Sequence, residues 1–319
     1  MDIMQKKGKR CVIDSEFFNE RNEIPFSLIA HCRINSFSLI RNHIEYNVKI
    51  DAKSNKKRIE IISDVDVEFN SLYIIAMNVI RFENLFEGKF FEVKSLLLDQ
   101  KELFQDFENS ILGFMRSDKS MAEFFITFDD KSYKRFFIAF EKYLKKRILP
   151  YHVTLYSLYL KGMTADLRMA QLLEVFEPLA IELNEAGKIS LKICPYYTVE
   201  NTCSHCGARV TKRLRNKQVR LNDLITAVIK KYGKDVFQGD SVTKIVRKAV
   251  VLRNKIDHVD NQRGAMSGQE CGIYLFKFSL LYRIVVMQEI GIPYDFIKGR
   301  VNVLVEDFNK RFPNQRIRP

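Results

Sequence analysis

Residues 244–258 read KIVRKAVVLRNKIDH, and this stretch combines a helical hydrophobic pattern with two side chains suited to phosphate chemistry. Near its end stand Arg253 and His258, five positions apart. An arginine can hold a phosphate through a bidentate fork, and a histidine can move a proton near neutral pH. The apolar residues recur at i, i+4, i+7 and i+11, the period of an amphipathic helix: Ile245, Ala249, Leu252 and Ile256. The stretch therefore predicts a helix that carries a candidate RNA-cleaving pair, since RNA supplies its own nucleophile in the 2′-OH.

Spacing alone does not single out this pair, because Arg147 and His152 are separated in the same way. Pro150 lies between them and is expected to break any helix there, since proline lacks an N–H and clashes with the preceding turn. The sequence context therefore favours Arg253 and His258 as the functional pair.

The helical period also places polar residues of the same stretch on a second face. Arg247, Asn254 and His258 recur at i, i+7 and i+11. Arg253 lies about 140° around an ideal helix from His258. We therefore expect both side chains to reach one phosphate only if the end of the helix loosens or the arginine side chain wraps around the helix.

Composition and hydropathy indicate which partner and which cellular compartment to expect. The chain of 319 residues has a formal net charge of +13, which favours a polyanion such as RNA as the partner. No apolar segment follows the basic N-terminal residues, so no signal peptide is predicted. The most apolar stretch, residues 274–290, contains Lys277, Arg283 and Glu289 and predicts a buried helix, not a membrane span. A cytoplasmic protein with reduced cysteines and no membrane partner is expected.

The hydrophobic pattern changes character near Pro150. Residues 1–150 show period-two alternation with β-branched and aromatic residues, which predicts a β-rich domain with a few helices. Residues 151–319 show mostly helical periods. A long apolar-periodic segment, 151–186, is expected to be divided or kinked at Gly162 and Pro178 and to end at Gly187 as its C-cap. An irregular, cysteine-containing insertion follows at about 188–220. The predicted fold class is α+β, with a β-rich N-terminal domain followed by an all-α bundle. The predicted strands cover residues 26–33, 36–50, 57–63, 90–98 and 122–128.

The second half resembles a known family in the order of its features. A long first helix and an insertion precede LRNKIDH at residues 252–258, and an aromatic-rich helix, YLFKFSLLYRIVVMQE at 274–289, follows and ends in Gly-Ile-Pro. This resembles a HEPN domain, and more narrowly the ApeA-like HEPN proteins of bacterial anti-phage defence. The β-rich first half is similar in size and pattern to the N-terminal domain of that family.

The resemblance implies a helical bundle that forms a homodimer, with the active site where two copies of the motif meet. It implies a metal-independent endoribonuclease, often a toxin of abortive infection held in check until infection, and hence a phage-derived trigger or a regulatory partner. Carried over residue by residue, Arg253 and His258 are the catalytic pair and Asn254 matches the polar residue that often follows the arginine. The N-terminal domain takes a sensor or regulatory role.

A compact cysteine motif, CSHCG at residues 203–207, lies in the insertion. A Cys-x₂-Cys turn presents two thiolates to one zinc ion, and Cys194 upstream supplies a third ligand. The predicted structural zinc site comprises Cys194, Cys203 and Cys206, with His205, Cys271 or a residue elsewhere as the fourth ligand. The alternative is a set of reduced thiols left from an eroded site.

Basic residues follow this motif without an intervening acid. They predict either a solvated loop face or a strip that tracks RNA phosphates toward the Arg253–His258 pair. The members of this basic strip, with Arg247 added from the helix, are Arg209, Lys212, Arg213, Arg215, Lys217 and Arg247.

Two functions of different class follow from these observations. The first is a metal-independent ribonuclease that leaves 2′,3′-cyclic phosphate and 5′-OH ends. The second is a non-catalytic nucleic-acid-binding or sensor protein whose contact surface is the cysteine motif and the basic strip. RNA cleavage in the presence of a chelator separates the two.

Overall fold

The computed structural model describes residues 6–16, 33–53, 56–87, 92–103, 128–159, 163–257 and 266–311. The chain divides into two compact units. The first comprises Met1–Met163 and Arg283–Leu304, and the second comprises Thr164–Tyr282 and Val305–Pro319. An N-terminal β-sheet region precedes a mainly helical region, so the predicted α+β fold class is confirmed.

In its described part, the first unit contains a six-stranded antiparallel sheet with the order β2-β3-β4-β1-β5-β6. The β4 strand alternates between buried and exposed residues, because successive side chains of a strand point to opposite faces. The strands are β1 (Lys7–Glu16), β2 (Arg33–Arg41), β3 (Ile44–Lys53), β4 (Lys56–Glu68), β5 (Glu92–Leu98) and β6 (Lys101–Glu102).

The predicted strand at 36–50 is in fact a hairpin of β2 and β3. Asn42 and His43 form its two-residue turn with φ of 50° and 65°, the positive values that tight hairpin turns require. The β1 strand was not predicted. The expected strands at 26–33 and 122–128 fall almost wholly outside the described residues, and Phe128 itself is not in a strand.

Two helices of the first unit form an aromatic core with the sheet: α1 (Phe69–Glu87) and α2 (Asp130–Tyr159). The ring centroid of Phe137 lies 5.6 Å from that of Phe37 in β2 and 5.8 Å from that of Phe82 in α1. The first helical segment of α2 ends before Pro150, as predicted, at a kink where Arg147 has non-helical dihedral angles (φ −135°, ψ 30°). A second helical segment continues the element to Tyr159.

The second unit is built from helices and a two-stranded hairpin. Its elements are α3 (Ala165–Glu185), β7 (Tyr196–Thr202), β8 (Arg209–Arg215), α4 (Leu221–Tyr232), α5 (Val242–Asp257), α6 (Gly268–Glu289) up to Tyr282, and α7 (Tyr294–Arg311) from Val305. Phe278 of α6 lies near the centre of its core, with ring centroids 5.6 Å from Phe176 and 5.3 Å from Phe237.

The α3 helix ends as its sequence predicts but does not break where expected. Gly187 has a φ of +68°, and the N–H of Lys188 donates to the carbonyl oxygen of Leu183 at 2.8 Å, a glycine-terminated helix end. The helix continues through Pro178, where a division or a kink was expected. The other expected division, at Gly162, lies outside the described residues.

The insertion at 188–220 is predicted to be irregular, but residues 196–215 within it form the β7–β8 hairpin. The pairing runs from Tyr196 opposite Arg215 to Thr202 opposite Arg209. The cysteine motif at 203–207 is the connecting turn, in which Gly207 adopts a φ of +69°. The pattern was missed because many charged and polar residues occupy both strands, so no hydrophobic alternation marks them.

All residues of α6 from Phe278 to Met287 are buried, in agreement with the buried helix that the sequence predicts for residues 274–290. The ammonium group of Lys277 forms a buried ion pair with Asp240 in the same unit. In the part of the chain that is described, no helix is both long enough and apolar enough to cross a membrane.

Candidate active site

The α5 helix presents the candidate catalytic arginine through the predicted stripe. Ile245, Ala249 and Leu252 are buried, and Ile256 is half-buried. This stripe fixes the rotation of α5, so that Arg247 and Asn254 are exposed, as the polar face predicts. The description of α5 ends at Asp257, and His258 lies outside the described residues.

Arg253 lies between a carboxylate and an amide. Its Nε–H donates to Oε1 of Glu174 on α3, and its Nη1–H donates to Oδ1 of Asn254 at 3.0 Å. The arginine side chain is 24 % exposed and that of Glu174 is 44 % exposed, so solvent reaches this pair. The guanidinium group therefore extends around α5 toward the face that carries Asn254. Because His258 lies outside the described residues, the wrapping expected from their 140° separation stays a prediction.

The hairpin pairing separates the predicted basic strip onto two faces. Because side chains alternate along a strand, Arg209, Arg213 and Arg215 share one face of β8, and Lys212 belongs to the other. Lys217 lies in the turn after β8 and is exposed. Lys212 therefore does not share a face with the three arginines of β8.

Two arginines of β8 are engaged by glutamates of α3. Arg213 forms an ion pair with Glu185, and its guanidinium carbon lies 4.2 Å from the centre of the Tyr196 ring. Arg215 forms an ion pair with Glu177. These contacts attach the hairpin to α3.

Sequence reasoning missed the acidic partners of these arginines. Glu174, Glu177 and Glu185 lie within about 80° of one another around an ideal helix. They hold Arg253, Arg215 and Arg213, respectively. We call these three glutamates the carboxylate row. Their spacing of three and eight residues on a helical segment is a signal that the sequence does contain.

The structure does not bring the three predicted zinc ligands together. Cys203 and Cys206 share the hairpin turn, whereas Cys194 precedes the first residue of β7 at the opposite end. The seven residues of β7 span about 20 Å, too far for one ion to bridge. Cys271 is buried in α6. Among the described side chains, no group of three or more His, Cys, Asp or Glu residues is placed to hold a metal ion.

The cysteines nevertheless differ in chemical environment. The backbone N–H groups of His205 and Cys206 donate to the sulfur of Cys203 and lower the pKa of its thiol. Burial raises the pKa of the Cys11 thiol to about 12 and that of Cys271 to about 11. The lowered pKa favours the thiolate form of Cys203, the form that binds a soft metal ion or reacts with an electrophile.

The competing pair is placed differently. Arg147 lies at the kink of α2, with its guanidinium carbon 4.8 Å from the centre of the Tyr143 ring. Burial and the nearby charge of Arg81 lower the pKa of His152, which disfavours its protonated form. This pair belongs to the first unit, outside the bundle that carries Arg253.

A family model matches one segment of the chain. Residues 167–296 match the model of the Apea-like HEPN family. The matched segment includes the carboxylate row, the β7–β8 hairpin and the Arg253-Asn254…His258 motif. This part of the chain is therefore an Apea-like HEPN domain, as the sequence resemblance predicted. No curated protein and no solved structure matches the chain.

Proposed function

We propose that this chain, through its Apea-like HEPN domain, is a metal-independent endoribonuclease with Arg253 and His258 as its catalytic pair. The observation that carries the proposal is the family match across the segment that contains both residues, since HEPN domains are typically ribonucleases. The net charge of +13 supports a polyanionic substrate.

The proposed reaction is an internal phosphoryl transfer. Either His258 accepts the proton of the ribose 2′-OH and solvent protonates the leaving 5′-oxygen, or solvent accepts the 2′-OH proton and His258 protonates the 5′-oxygen. The 2′-oxygen attacks the adjacent phosphorus as the bond from phosphorus to the 5′-oxygen breaks. The products are a 2′,3′-cyclic phosphate and a 5′-OH, and no oxidant, metal or water is consumed in this step.

Arg253 stabilises the negative charge that develops on the phosphorane. Oδ1 of Asn254 accepts a hydrogen bond from Nη1–H of Arg253 at 3.0 Å and thereby helps to fix the plane of the guanidinium group. In a homodimer, Arg253 of one copy serves His258 of the other, which removes the constraint that both side chains reach one phosphate from the same helix.

In the cell, we propose a cytoplasmic toxin of anti-phage defence that arrests growth by cutting RNA. The first unit then takes a sensor or regulatory role toward a phage-derived trigger. A basic ribonuclease without such control would damage its own host, which is the physical reason to expect a regulating partner.

The decisive test compares RNA cleavage by wild type and by His258→Ala. Removal of the general acid or base is expected to lower the rate by about 100- to 10,000-fold. Cleavage by wild type is expected to persist in EDTA and to leave 2′,3′-cyclic phosphate ends, identified by end-specific labelling. His152→Ala is the matched control and is expected to retain activity, because His152 belongs to the first unit.

Two outcomes would contradict the proposal. Growth arrest that persists in His258→Ala would remove the catalytic assignment. Tight RNA binding by wild type with no cleavage would support the second function, a nucleic-acid-binding protein that uses the exposed hairpin turn with Arg209 and Lys212.

A further inference from the structure

Three of the arginines expected to meet RNA are already paired with acids of one helix. Along α3, the three members of the carboxylate row span a rise of about 16 Å. Each holds one arginine: Glu174 holds Arg253, Glu177 holds Arg215, and Glu185 holds Arg213. A carboxylate presents to a guanidinium group the same acceptor geometry as a phosphate.

We propose that the carboxylate row is an internal stand-in for the phosphates of RNA. RNA binding exchanges the three carboxylates for phosphates, so the row sets the affinity for RNA and keeps basal cleavage low. This inference rests on the proposed function for the identity of the ligand. It adds an autoinhibitory surface whose members are the three glutamates of α3.

The exposures of the pairs make this exchange feasible. The arginine side chains of the three pairs are 24 %, 34 % and 58 % exposed, and the glutamates are 44 %, 31 % and 40 % exposed. Partly exposed ion pairs contribute little free energy, because water screens both charges. A phosphate can therefore replace each carboxylate, with release of the counterions of RNA as an added driving force.

The buried ion pair of the same unit differs in this respect. Lys277 and Asp240 are 1 % and 0 % exposed, so no solvent-borne ligand reaches them. The carboxylate row is thus distinguished from the structural ion pair by its access to solvent as well as by its arginine partners.

The test measures the binding of a fluorescently labelled single-stranded RNA of about 20 nucleotides in a His258→Ala background, where cleavage does not interfere. Glu174→Gln, Glu177→Gln and Glu185→Gln are each expected to tighten binding by about 2- to 5-fold, and the triple variant by about 10-fold or more. Glutamine preserves the shape of the side chain. Glu306→Gln removes the same charge from the exposed Glu306–Lys310 pair of α7 and is the matched control.

A double-mutant cycle separates the exchange from a general change in net charge. Glu177→Gln is expected to tighten binding when Arg215 is present and to have no effect in an Arg215→Gln background. A long-range effect of charge would persist in both backgrounds. Thermal unfolding of each variant shows whether it keeps its fold. If the other two variants unfold, the RNA affinity of Glu185→Gln, whose ion pair is the most exposed of the three, supplies the test.

The inference is overturned if the three variants bind RNA no more tightly than Glu306→Gln, or more weakly than the parent protein. Cleavage by wild type together with that result would leave the proposed function intact. Conversely, the glutamine variants could bind RNA more tightly while no chain with an intact His258 cleaves it. That result would support the proposed role of the carboxylate row and would contradict the proposed ribonuclease function.

Discussion

At the scale of single residues, the five cysteines that the structure describes divide by exposure. Cys194 and Cys206 are exposed and Cys203 is partly exposed, whereas Cys11 and Cys271 are buried. The lowered pKa of Cys203 adds thiolate character, and the raised pKa values of the buried thiols remove it. Brief treatment with iodoacetamide at neutral pH is therefore expected to modify Cys194, Cys203 and Cys206 well before Cys11 and Cys271, as read by peptide mass spectrometry.

The same experiment tests zinc at the hairpin turn, which stays a prediction. If the turn binds zinc, the ion protects Cys203 and Cys206 together and leaves Cys194 reactive, because β7 separates Cys194 from the turn. Cys203→Ser is expected to abolish the protection and to lower the zinc content found by elemental analysis. Equal modification of all three cysteines, in protein purified without chelator and containing no metal, would favour the eroded-site alternative.

At the scale of secondary-structure elements, the Lys277–Asp240 pair links α6 to the residues that precede α5. Asp240→Ala leaves the ammonium group of Lys277 buried without this carboxylate, and we expect a loss of about 3–5 kcal/mol in the free energy of unfolding. The double variant Asp240→Ala with Lys277→Met removes both charges and is expected to recover most of that loss. Chemical denaturation measures both effects, and equal stabilities of the single and double variants would contradict the prediction.

At the scale of the whole molecule, the predicted homodimer needs an uncovered surface. Residues 274–289 and the Arg253-bearing helix are predicted to lie at or near the interface. The α6 residues from Phe278 to Met287 are already buried within the chain. The α5 helix retains an exposed face with Arg247, Val251 and Asn254, and we therefore expect the interface there. Light scattering is expected to show at least a dimer, and a stable, active monomer would contradict this.

A composite active site makes a sharper prediction. Co-expression of an Arg253→Ala subunit with a His258→Ala subunit is expected to restore RNA cleavage to as much as half of the wild-type level in the mixed dimer. One of its two sites then combines an intact Arg253 from one copy with an intact His258 from the other. Neither variant alone is expected to cleave RNA. An inactive mixed dimer would show that each copy supplies both residues of its own site.

The sequence by itself determined the features that depend on local periodicity and composition. The apolar stripe of Ile245, Ala249 and Leu252 predicted α5 and its rotation, because burial of one face requires that period. Gly187 predicted the end of α3, because glycine adopts positive φ without steric cost. The order of strands before helices predicted the α+β class, and the residues around Arg253 predicted the HEPN domain.

Tertiary structure alone decided which residues meet across elements. Nothing local to β8 or α5 indicates that Arg213, Arg215 and Arg253 face glutamates of one helix, because those contacts join residues 28 to 79 positions apart. The β7–β8 hairpin likewise separates Cys194 from Cys203, although nine positions of sequence suggested a shared ion. An extended strand places residues that are close in sequence far apart in space. Packing against a helix brings residues that are distant in sequence into contact.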